Sequence, residues 1–141
     1  MLVSREILLA EDNPADVRLI EEALRGLHPP AKIHVARDGD ETLHFFQRCR
    51  DRADSIKPAL MFLDYHLPKT DLRDILRAMK SNEAMSRTAV VVLTTSNVDE
   101  LIDEAYRLGA DCYLSKPSDL DAFFHTIQSA ARYWLNFPSV Q

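Results

Sequence analysis

Glycine is scarce in this chain, with three in 141 residues, and no stretch is of low complexity. That leaves no material for a flexible linker, so one domain is expected over residues 1–141. Its core should span about 5–134 and its C-terminal tail about 135–141, a size usual for one domain. Cysteine is nearly absent too. Cys49 and Cys112 lie far apart with no CxxC spacing, which excludes a zinc-ribbon or disulfide framework and suits two reduced thiols. No apolar run approaches the roughly 18 residues of a membrane span. Basic charge is not in excess: 17 Lys and Arg stand against 22 Asp and Glu, a net −5, which argues against a nucleic-acid surface. The first apolar run starts at residue 6, leaving no room for a signal peptide, so a cytoplasmic protein is expected.

What is present is a globular composition, 46% hydrophobic and 28% charged, sufficient for one core. Short apolar runs at 6–10, 32–36, 59–63, 89–93 and 111–115 alternate with longer amphipathic stretches. Ile7-Leu8-Leu9, Leu60-Met61-Phe62-Leu63 and Val90-Val91-Val92-Leu93 are continuously apolar, as strands covered on both faces should be. Val17, Ile20, Leu24 and Leu27 follow the first run at helical spacing, opened by Pro14 and stopped by Gly26 and Pro29-Pro30. Leu43 and Phe46 mark a second helix, 71–80 a third and 98–108 a fourth, and Leu120, Phe123, Ile127, Ala131 and Trp134 a last one. Residues 48–58 read as a helix end and a solvated loop. Five βα units predict an α/β, doubly wound (βα)5 sandwich around a five-stranded parallel sheet. Sites in such sheets form where loops leave the carboxyl ends of the strands.

Those ends carry chemistry. The first apolar run closes on Glu11-Asp12, the third on Asp64, the fourth on Thr94-Thr95-Ser96 and the fifth on Ser115-Lys116-Pro117. Each has a plainer reading: the acids as helix caps and Lys116 as a solvated loop lysine. All on one edge, those readings would be independent coincidences. Three neighbouring carboxylates raise one another's pKa, and a hard divalent cation such as Mg2+ offsets that. A carboxylate nucleophile beside a cation, an ammonium and a hydroxyl suits phosphoryl transfer, whose transition state spreads charge over three equatorial oxygens.

The segments ILLAEDNPAD, LDYHLP, VVLTTS and YLSKP, in this order, resemble the CheY-like receiver domains of two-component response regulators. Asp64 to Thr94 is 30 positions and Thr94 to Lys116 is 22, which match as well. The resemblance implies a flavodoxin-like fold, a phosphoacceptor at Asp64, and Mg2+ held by Glu11, Asp12, Asp64 and the backbone carbonyl of His66. It implies that Lys116 and Thr94 contact the phosphoryl group and that Thr94 and Tyr113 form the switch. Asn13, Ala15, Asp16 and Leu19 would dock a sensor histidine kinase. One departure stands out: Leu72 follows Asp71 where the family usually carries glycine, so the loop before the third helix should take another path or the helix start earlier.

With no attached output domain, such a protein would act as a stand-alone regulator, not an enzyme on other substrates. It would signal through the face of its fourth helix, fifth strand and fifth helix. VVLTTSN and ARYWLNFP look most like regulators paired with bacterial phytochrome kinases. Tyr133, Trp134, Leu135 and Phe137 would serve a homodimer. The alternative is a receiver-like adaptor that is never phosphorylated. A flavodoxin-like cofactor binder is disfavoured because Glu11-Asp12 would repel a phosphate, and an aspartyl phosphatase because His66 stands where such enzymes usually place a second acid.

Overall fold

The structure is a computed structural model describing residues 5–27, 29–51, 57–95 and 99–136. Five strands, β1 (Arg5–Ala10), β2 (Ala31–Ala36), β3 (Leu60–Asp64), β4 (Ala89–Thr94) and β5 (Cys112–Ser115), pair in parallel in the order β2-β1-β3-β4-β5. Helices α1 (Pro14–Arg25), α2 (Gly39–Asp51), α3 (Leu72–Lys80), α4 (Asp99–Arg107) and α5 (Leu120–Asn136) connect and follow them. A single-turn 3-10 helix, Glu83–Met85, precedes β4.

Strand periodicity distributes the apolar runs between two layers. Ile7 and Leu9, Leu60 and Phe62, and Val91 and Leu93 face α1 and α5, where Val17, Ile20, Leu24, Phe123 and Ile127 meet them. Leu8 and Ala10, Met61 and Leu63, and Val90 and Val92 face the other way, onto Phe45, Phe46, Ile75, Leu76 and Ala105. Each fully buried aliphatic or aromatic side chain contributes about 1.5–3 kcal/mol relative to exposure. The central strands are dry on both faces, which is why their runs carry no polar alternation.

The chain leaves β1 for β2 on one side, while β3 pairs on the other. The carboxyl ends of β1 and β3 therefore border the point where the strand order reverses, the usual position of a site in an open parallel sheet.

β1 ends at Ala10, directly before the acidic pair, and β3 ends at Asp64 itself. Helix α2 ends at Asp51, within the segment read as a helix end and loop, and α5 runs to Asn136. Residues 52–56, 96–98 and 137–141 lie outside the described residues, and with them Ser96 and Phe137.

The loop before α3 does take its own path. Asp71 is extended (φ −104°) and caps α3 by accepting from the Arg73 N–H, so Leu72 enters the helix as its first residue and is buried. The left-handed backbone that glycine would permit falls instead at Lys69, with φ 65°. Leu72 joins the core cluster beneath α3, where glycine would leave a gap.

Candidate functional site at the carboxyl edge of the sheet

Glu11 follows β1 directly, and its N–H still donates to the Ala36 carbonyl at 3.0 Å, holding it against the sheet. Its side chain is fully buried. One carboxylate oxygen accepts from the Asn13 N–H at 3.2 Å and the other from Lys116 Nζ at 2.7 Å. Asp12 is exposed. Asp64, the last residue of β3, is buried at 6% exposure, and the Tyr65 N–H that follows it donates to the Leu93 carbonyl at 2.8 Å. Carboxylate oxygens of Glu11, Asp12 and Asp64 all lie within 4.8 Å of one another.

Lys116 reaches this group from the loop after β5. Its Nζ lies 2.7 Å from Glu11 Oε1, 2.9 Å from Asp16 Oδ2 and 3.3 Å from Asp64 Oδ1. Its backbone N–H donates to the Thr94 carbonyl at 2.7 Å, so Lys116 and Thr94 are fixed to one another through the main chain. Thr94 ends β4 fully buried. Tyr113, half-buried in β5, pairs in register with Val92 and packs against the core beneath α2, α3 and α4. His66 is exposed in the turn after β3, its ring edge-on to Tyr65 at 4.9 Å.

Electrostatics agree with this crowding. Burial pushes the Glu11 carboxyl from 4.5 up to about 7; the bond from Lys116 opposes this and the charge of Asp64 adds to it. Burial alone would lower Lys116, but hydrogen bonds to Glu11 and Asp16 outweigh it and hold its pKa above the usual lysine range. The ammonium thus offsets part of a charge excess that a divalent cation would offset further. Three oxygen donors in one small space are the hard ligands such a cation takes, so the residues fit the group.

The structure brings Glu11, Asp12, Asp64, Thr94 and Lys116 to one edge, as expected from their places in the chain. Of the docking set, Asn13 caps α1, accepting from the Ala15 and Asp16 N–H groups, Ala15 is exposed and Leu19 is half-buried. Asp16 differs: its carboxylate is turned onto Lys116. Its reach into the site was not read from the sequence, because the two residues are 100 positions apart.

A family model described as the response regulator receiver domain matches residues 7–128. The chain belongs to that family. It is 37% identical over 129 residues to the response regulator Rcp1 of Synechocystis, covering 92% of this chain and 88% of Rcp1. The solved structure of the phosphorylated cyanobacterial phytochrome response regulator RcpA superposes with a TM-score of 0.88 at 35% identity, covering 97% of this chain and 98% of RcpA. The Mn(2+)-bound form of Rcp1 superposes at 0.83 with 36% identity, covering 97% of each chain. RcpA is thus a phytochrome response regulator by name, and the fold of this chain is that of a CheY-like receiver. No helix among the described residues is long and apolar enough to cross a membrane.

Proposed function

We propose that this receiver accepts a phosphoryl group on Asp64 from a phosphohistidine of a sensor histidine kinase, with Mg2+ bound. The observation that carries the reading is the convergence of Lys116, Glu11 and Asp12 on a buried Asp64 at the carboxyl edge of the sheet. Glu11, Asp12 and Asp64, with the His66 backbone carbonyl, would hold Mg2+, which when bound neutralises charge on the transferring oxygens. An Asp64 carboxylate oxygen forms the new bond to phosphorus while the phosphorus–nitrogen bond of the donor breaks. The electron pair leaves on the imidazole nitrogen, which takes up a proton. The Lys116 ammonium and the Thr94 hydroxyl stabilise the equatorial oxygens.

The domain catalyses only its own phosphorylation and dephosphorylation. Its output is a population shift in which Thr94 and Tyr113 move together and alter the α4–β5–α5 face. Likeness to RcpA and Rcp1 supports a phytochrome as the kinase partner and the cytoplasm as the location. Asn13, Ala15, Asp16 and Leu19, at the start of α1, would be where a donor helix docks. The exposed side chains of Tyr106, Leu120 and Tyr133 on α4 and α5 support a homodimer, with Trp134 and Leu135 beside them.

Intact mass after incubation with acetyl phosphate and Mg2+ tests the central claim. Wild type should gain one phosphoryl group, and Asp64→Asn or omission of Mg2+ should abolish the gain. No adduct on the wild type would sink the phosphoacceptor reading and leave the unphosphorylated adaptor in its place.

A further inference from the structure

We propose that Asp16 is a positioning residue for Lys116, holding the ammonium in the site and away from exclusive pairing with Glu11, so that Glu11 is available to a cation. This rests on the reading of the carboxyl edge as a phosphoacceptor site.

Asp16 sits in the first turn of α1, where an acid is favourable in the helix dipole with no partner at all. A residue serving only that end would leave its carboxylate in water. Here the side chain is 23% exposed, and Oδ2 lies 2.9 Å from Lys116 Nζ. The lysine is itself only 10% exposed, so both ends of the bond are withdrawn from solvent. The cap at Asn13 sets the start of α1 and thereby aims Asp16 at the site.

An ammonium has three donors. Those of Lys116 have three carboxylate oxygens within reach, from Glu11, Asp16 and Asp64. Two of these carboxylates belong to the cluster that would hold the metal, and Asp16 does not. When a cation takes Glu11, the lysine loses its shortest contact. Asp16 is the partner that remains outside the metal and the phosphoryl group, and it keeps a long, flexible side chain in place. Without it, Lys116 would pair with Glu11 and Asp64 alone and compete with the cation for both.

The test is a double-mutant cycle on the full chain, Asp16→Asn with Lys116→Met. Two readouts are taken: Mg2+ affinity by calorimetry on the metal-free protein, and the rate of labelling by acetyl phosphate at saturating Mg2+. The small donor bypasses any kinase docking on α1. With Lys116 present, Asp16→Asn should weaken Mg2+ binding and slow labelling each by about tenfold or more, the scale of one lost charge-assisted hydrogen bond. Asp16→Glu should recover part of the rate. With Lys116→Met, the same change should move either quantity by less than about twofold, since no ammonium remains to be positioned.

Equal factors in both backgrounds would show that Asp16 acts through its charge alone and would overturn the proposal, as would wild-type behaviour of Asp16→Asn. If the wild type takes no label, the phosphoacceptor reading falls by itself. The Mg2+ cycle then still decides whether Asp16 positions Lys116.

Discussion

Lys116 Nζ lies 2.7 Å from Glu11 Oε1, joining the loop after the last strand to the end of the first across 105 positions of chain. The bond does not compensate fully for the burial of Glu11, whose carboxyl stays near pH 7 instead of its ordinary 4.5. A raised carboxyl means that, between those values, the native state keeps a proton the unfolded chain has released. Glu11 therefore favours the fold most at low pH, and this contribution is lost as pH rises through about 7. The urea midpoint of chelator-treated protein should fall between about pH 5 and about pH 8 more steeply in wild type than in Glu11→Gln. Mg2+ should restore the wild-type midpoint at the higher pH. A wild-type slope no steeper than that of Glu11→Gln would contradict the burial argument.

Gly39 opens α2 where its N–H donates to the Pro68 carbonyl at 2.8 Å. A Cβ there would meet the Thr70 Cβ at 2.3 Å and the Lys69 carbonyl oxygen at 3.0 Å. Gly39→Ala must push aside the loop that follows Asp64, which should cost about 1–3 kcal/mol in chemical denaturation. Thr70→Gly, by removing the nearer obstacle, should return part of that loss. An unchanged midpoint for Gly39→Ala would show that the loop yields freely.

The same loop makes two glycine substitutions behave oppositely. Lys69 pays for a left-handed backbone at φ 65°, and in its ion pair to Asp38 at 3.4 Å the lysine end is solvent-exposed. Lys69→Gly should therefore be neutral or stabilising by up to about 1 kcal/mol. Leu72 is buried in the first turn of α3, so Leu72→Gly should cost about 2–4 kcal/mol. Urea midpoints of the two variants decide it, and a stabilising Leu72→Gly would mean that the positive-φ position has been misplaced.

Much of this was legible in the chain itself. Ile7-Leu8-Leu9 and Val90-Val91-Val92-Leu93 have no polar alternation, and only a strand covered on both faces needs none. Glu11, Asp64, Thr94 and Lys116 were legible because each closes such a run, and the topology of a parallel sheet gathers those ends. What escaped depended on contacts between distant segments. Asp16 looks like any first-turn acid until α1 is packed beside the loop that carries Lys116. The 3-10 turn at Glu83–Met85 is organised by buried Asn82, whose side chain donates to the Phe46 carbonyl at 2.9 Å and accepts from the Ala84 N–H at 3.0 Å. No local pattern announces that bond.

The proposed homodimer separates two neighbours on α5. Trp134 is half-buried against the α1–α5 core layer, and Tyr133, set edge-on to it at 5.0 Å, is 54% exposed. Truncating Trp134 removes packing, so Trp134→Ala should lower stability by about 2–4 kcal/mol whatever the state of assembly. Replacing Tyr133 touches mainly surface. Tyr133→Asp should change the denaturation midpoint of the dilute protein little, by about 0.5 kcal/mol or less, yet weaken self-association by about tenfold or more if the α4–β5–α5 face is the interface. Sedimentation velocity over a concentration series, before and after phosphorylation, reads the second quantity separately from the first. A wild type that stays monomeric at high concentration in both states would end the dimer proposal. A dimer indifferent to Tyr133→Asp would move the interface off this end of α5.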